Sequence, residues 1–171
     1  MAEPSDAACP RCGAALLSRG CFDAYAAGLP ELSLEDASAH YDLGVAYREM
    51  GLLAEAIAEL QLAAKDPSRE CVSHAMIGRI FRDRGDESAA IDAFIRALHA
   101  PGRTPAEEIA INYEIADSYQ ARGSTPQAHC YFTRVANLDP EYQDPRGSVA
   151  ARLRALGPDE PPDDEPPDDV A

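Results

Sequence analysis

The residues best suited to chemistry lie near the amino terminus, in the segment CPRCG, where Cys9 and Cys12 stand two residues apart and Cys21 follows. Two thiolates at this spacing can turn inward on one metal ion, because Pro10, Arg11 and Gly13 permit the tight turn such a knuckle needs. A closed zinc site takes four ligands, and a second Cys-x-x-Cys is missing, so Asp23, His40 or a second chain would have to complete it. Thiols in a flexible leader are the alternative reading of the same three residues. Cys71 and Cys130 fall within helical patterns and read as small core residues. Histidine chemistry is not supported. His40, His74, His99 and His129 have no nucleophile or carboxylate partner recognisable by sequence, and there is neither a phosphate-binding glycine loop nor a nucleophile elbow. Catalysis is therefore not expected.

An internal repeat supplies the elements that must position these groups. Gly44, Tyr47, Gly51, Ala56, Leu60 and Ala63 recur 34 residues later as Gly78, Phe81, Gly85, Ala90, Phe94 and Ala97. They recur again, 38 residues further on, as Ala116, Tyr119, Gly123, Ala128, Phe132 and Val135. A period of about 34 residues with this order of small and aromatic residues marks stacked helical hairpins. In the second unit His74, Ile77, Gly78 and Phe81 form one helical stripe, and Ala90, Ile91, Phe94, Ala97 and Leu98 form its partner. Gly78 and Ala90 are small where two backbones must approach. Gly85 ends the first helix, as a left-handed residue should. Thr104, Pro105 and Glu107 encode a capped helix start, and Pro126 behind Ser124 or Thr125 encodes the next. No single hairpin buries its apolar face alone, so neighbours must stack.

These units resemble the tetratricopeptide repeat family over residues 37 to 140, in the segments YDLGVAYREMGLLAEAIAELQLAAKDP, MIGRIFRDRGDESAAIDAFIRAL and YEIADSYQARGSTPQAHCYFTRVANLDP. The departures are local. His40, His74 and Asn112 stand where the family often has a large aromatic, Ala116 replaces a glycine, and four extra residues around Pro101, Gly102 and Arg103 lengthen the loop before the third unit. The resemblance implies an all-α, right-handed α-solenoid of three helix-turn-helix repeats, at about 37–70, 71–104 and 109–140. Residues 1–36 are then a cysteine-bearing leader and lead-in. Residues 141–157 read as a capping helix starting after Asp144 and Pro145, with Val149, Leu153 and Leu156 as its apolar stripe and no sheet anywhere. Residues 158–171, PDEPPDDEPPDDVA, hold seven acidic residues and no basic one, and read as a disordered tail.

In this family the first helices line a concave surface. Their second stripe here comprises Ser38, Tyr41, Val45 and Arg48, then Val72, Ala75, Arg79 and Arg82, then Ala110, Tyr113, Asp117 and Gln120. Tyrosine and arginine together are typical of binding hot spots. The expected ligand is a partner peptide held by Tyr41, Val45, Arg48, Val72, Arg79, Arg82, Tyr113, Asp117 and Gln120. Arg79 and Arg82 favour an acidic side chain or a phosphate, unless Asp42, Asp83, Glu114 and Asp117 quench them into internal ion pairs. The acidic tail is either a solubilising segment or a competitor for that groove.

The whole chain of 171 residues carries 15 basic and 30 acidic residues, a formal charge of −15. That balance argues against nucleic acid and anionic membrane surfaces as partners, since both select for basic patches. With no membrane-length apolar run and no hydrophobic signal segment, a cytoplasmic location is expected. Two functions follow as expectations: a non-enzymatic adaptor or scaffold for a peptide, or a metal-stabilised regulatory or assembly module in which the leader cysteines bind zinc and the repeats self-associate.

Overall fold

The computed structural model describes residues 36–157. Seven helices follow one another: α1 (Ala37–Glu49), α2 (Leu53–Ala63), α3 (Glu70–Asp83), α4 (Glu87–His99), α5 (Pro105–Ala121), α6 (Thr125–Leu138) and α7 (Val149–Leu156). They make three helical hairpins, α1–α2, α3–α4 and α5–α6, each packed on the next, with α7 closing the stack against α6. The fold is an all-α repeat solenoid.

Local sequence starts and stops these helices. The Asp36 carboxylate accepts from the Ala39 amide at 3.0 Å and Asp86 from Ala89 at 3.1 Å. Thr104 and Glu107 form a reciprocal capping box at the head of α5, with Pro105 in the first turn. The first helix of each hairpin ends at a glycine in the left-handed region, with φ of 76° at Gly51 and 78° at both Gly85 and Gly123. There an L side chain would be strained.

The hairpins close tightly because the crossing residues are small. A Cβ built on Gly78 would lie 2.6 Å from the Phe94 ring, and one on Gly44 would lie 2.7 Å from Leu60 Cγ. Phe94, Leu60 and their third-unit counterpart Phe132 are fully buried. Each hairpin interior merges with its neighbour's: Cys71 and Phe94 pack with Ile111 and Ile115 of the third unit, while Ile77 and Ile80 pack with Ala56 and Leu60 of the first.

The segment before α7 departs from the expected helix start. Gln143 and Asp144 pair antiparallel with Ser148 and Gly147, a two-residue ladder of β1 (Gln143–Asp144) and β2 (Gly147–Ser148). Pro145 sits in the connecting turn instead of opening the helix. The Asp144 carboxylate takes the Arg146 amide at 2.9 Å, and Gly147 adopts a φ of 140°. This turn chemistry outcompetes helix initiation. The helix instead begins behind Ser148, whose hydroxyl accepts from the Ala151 amide at 3.2 Å.

Candidate functional site

One face of α1, α3 and α5 carries most of the arginines singled out in the sequence, and there they are joined in a ladder. Arg48 on α1 donates to Asp83 on α3 at 2.8 Å, and Arg79 on α3 donates to Glu114 on α5 at 3.2 Å. Both links span 35 residues and tie the first helix of one unit to the first helix of the next. Arg82 also donates to Glu114 and lies 3.9 Å from Asp117.

The far end of the ladder is supplied by the carboxy-terminal segment. Arg146 donates to Glu114 at 2.9 Å and to Asp117 at 2.8 Å, while Asp144 holds the same guanidinium through Nε at 2.7 Å and Nη2 at 3.0 Å. Arg152 on α7 pairs with Asp117. Glu114 is thus a hub: its side chain is only 8% exposed and three arginines from two elements converge on it. Burial alone would raise its carboxyl, but the Arg82 and Arg146 charges and hydrogen bonds win and hold it below the usual range. The Arg146 hydrogen bonds likewise keep Asp144 low, and Asp144 in turn pushes the guanidinium of Arg146 further up.

The structure places the expected binding residues in two groups. Tyr41, Val45 and Val72 are half-buried on the faces of α1 and α3, with the Arg69 guanidinium 5.6 Å from the Tyr41 ring centroid. Arg48 and Arg79 stay 35% and 41% exposed beside them. The third-unit residues are different. Tyr113 is fully buried and is a core residue, not a surface contact: its ring lies 5.2 Å from Phe132 and 5.5 Å from Tyr142, and its hydroxyl donates to the Gly147 carbonyl at 2.9 Å. The turn before α7 covers it, which helical periodicity alone did not reveal. Asp117 is consumed by Arg146 and Arg152, and Gln120 Oε1 is buried without a hydrogen bond. The alternative in which Asp83, Glu114 and Asp117 neutralise the arginines is therefore the geometry observed.

Other expectations divide in the same way. Cys71 is buried in the core as expected, but Cys130 is exposed, because it falls on the outward side of α6. His40 has a carboxylate partner after all: Nδ1 lies 2.6 Å from Glu59 Oε2 across the first hairpin. Nothing in local spacing signals that pair, since its members are 19 residues apart. Arg146 and Arg152 carry no signal of this role in the sequence, since only the turn before α7 and the docking of that helix bring them to the face. Cys9, Cys12 and Cys21, with the acidic tail 158–171, lie outside the described residues. Among the described residues no cluster of three or more His, Cys, Asp or Glu is placed to hold a metal ion. No described helix is long and apolar enough to cross a membrane.

Comparison with known proteins follows the hairpins. A family model described as tetratricopeptide repeat matches residues 37–65, the first hairpin. The fold is similar to the N-terminal domain of stress-induced protein-1 (STI-1) from C. elegans, with a TM-score of 0.63 over 74% of this chain and 98% of that one. At 15% identity this likeness speaks for the fold alone. No curated protein sequence matches the chain significantly. The first hairpin thus matches the tetratricopeptide repeat, and the two hairpins that follow repeat its residues in sequence and its packing in space.

Proposed function

We propose that this protein is a non-catalytic interaction adaptor that holds an extended partner peptide on the α1–α3 face, against Tyr41, Val45, Arg48, Val72, Arg79 and Arg82. A repeat fold of this kind is a protein-interaction scaffold in general, and the particular reading rests on one observation. On the first two units tyrosine, valine and arginine remain half-exposed together, whereas the same face of the third unit is filled by the chain's own Arg146 and Arg152.

The chemistry favours an acidic or phosphorylated residue flanked by apolar ones. Arg79 commits only Nε to Glu114, leaving its terminal nitrogens for a ligand, and Arg48 commits one Nη to a half-exposed Asp83. An incoming carboxylate or phosphate competes with Asp83 at modest cost, because exposed pairs are worth little. Displacing Glu114 from its arginines would be far costlier.

The test is site-directed photocrosslinking in cells, with a benzophenone side chain at Val45 and, as control, at Ser88 on the outer helix α4. A partner trapped at Val45 and not at Ser88, and lost with Arg48→Glu plus Arg79→Glu at unchanged helicity, supports the reading. The same partners trapped from both positions would sink it.

A further inference from the structure

Two of the departures from the repeat pattern meet at one place. Between the carboxy-terminal ends of α4 and α6 and the amino-terminal half of α5 lies a cavity of about 370 Å³, lined among others by Leu98, Arg103, Glu108, Asn112, Arg134 and Leu138. Arg103 belongs to the four-residue lengthening of the loop before α5. Asn112 is the third-unit counterpart of His40 and His74, and it is the smallest of the three. Its side chain turns back to donate to the Glu108 carbonyl at 2.8 Å. The room that a larger ring would take between α5 and α6 is left open, and the longer loop contributes Arg103 to its lining.

The walls are chemically unfinished. Asn112 is 3% exposed, yet its Oδ1 has no hydrogen-bond partner, and the buried Nε of Arg103 also lacks one, although it lies 3.5 Å from Glu108 Oε2. Orphaned buried polar atoms are rare in folded proteins and ask for a reason. Arg134 stands exposed with its guanidinium 4.8 Å from the Tyr131 ring centroid, which orients it without neutralising it. Leu138, half exposed at 50%, is the one large apolar side chain classed as exposed among the described residues. Two guanidinium groups thus face a single carboxylate across a cleft with an apolar floor.

We propose that this cleft is a second docking site, for a partner segment in which an aliphatic side chain adjoins a carboxylate. The aliphatic group packs on Leu98 and Leu138, the carboxylate accepts from Arg134 and Arg103, and a backbone N–H of the segment donates to Asn112 Oδ1. Charge complementarity selects this occupant: a neutral apolar segment would leave both arginines unanswered, and a basic one would be repelled. The volume lies at the small end of ligand pockets, roughly 300 to 1,000 Å³, which suits one or two residues.

The experiment is an NMR titration of the full chain with N-acetyl-Leu-Asp-amide, following the side-chain amide of Asn112 and the Nε–H of Arg103 and Arg134. Saturable shifts at these groups are expected, with N-acetyl-Leu-Asn-amide binding about tenfold more weakly because the charge-assisted bonds are lost. Arg134→Ala, at an exposed position that folding does not require, should weaken the Leu-Asp probe to a similar degree. Asn112→Leu should fill the cavity and abolish the response. Arg48→Ala with Arg79→Ala should leave this titration unchanged, which separates it from the α1–α3 face. The proposal is overturned by absence of saturable shifts into the millimolar range, or by equal binding of the Leu-Asn probe. Inorganic phosphate saturating the same resonances at the same concentration would also overturn it, by showing a bare anion site with no aliphatic subsite.

Discussion

Glu114→Gln tests the ladder at its hub. The substitution keeps the shape of the side chain and removes the one charge on which Arg79, Arg82 and Arg146 converge. Each charge-assisted hydrogen bond contributes about 1.5–3 kcal/mol when fully desolvated. The three arginine side chains are 41%, 23% and 32% exposed, so water recovers part of that loss, and Asp117 and Asp144 still hold Arg146. A net destabilisation of about 2 kcal/mol is expected, or about 8 °C in Tm for a domain of this size. The sign with pH follows from Glu114's carboxyl being held below its usual value in the folded chain. Its stabilisation is complete above the unfolded pKa, near 4.5, and is lost as pH falls through the lower folded value. Thermal melts followed by circular dichroism at pH 7 and again in acid should therefore show a wide gap between wild type and Glu114→Gln at neutrality that narrows on acidification. A gap of the same size at both pH values, or none at pH 7, would refute the hub.

Three further outcomes are expected. Gly78→Ala gains about 1 kcal/mol of helix propensity but drives a methyl group to 2.6 Å from the Phe94 ring, where overpacking costs about 1–3 kcal/mol. It should lower the urea midpoint, less so when Phe94→Leu is present, and an unchanged midpoint would deny the close crossing. Tyr113→Phe removes the donor to the Gly147 carbonyl and should cost about 1 kcal/mol, with faster amide exchange in the turn before α7. Full retention of protection there would show that the hydroxyl does not anchor the turn. Cys9→Ser with Cys12→Ser should leave the melting of the array unchanged even if it removes bound zinc, since among the described residues the three core clusters run from Tyr41 to Leu156. A Tm drop of several degrees would mean that the leader braces the repeats.

The sequence by itself determined the hairpins. Helical periodicity, the small crossing residues Gly44, Gly78 and Ala116, the stop at Gly85 and the cap at Thr104 all act within a few residues or recur at a fixed offset, so they are written where they can be read. The sequence also put the arginines on the correct stripe and named Asp83, Glu114 and Asp117 as rivals for them. Tertiary structure decided the outcome of that rivalry. Whether Arg79 meets a ligand or Glu114 depends on how far apart two first helices stand, a distance set by the packing of side chains such as Phe94 between hairpins. The same holds for the third unit, where Asp144, Pro145 and Arg146 form a turn that lays an arginine over the face and buries Tyr113. His40 with Glu59, and the open space beside Asn112, are likewise products of which helix ends meet. Local codes specify elements, whereas the pairing of charges and the closure or opening of surfaces arise only when those elements are brought together.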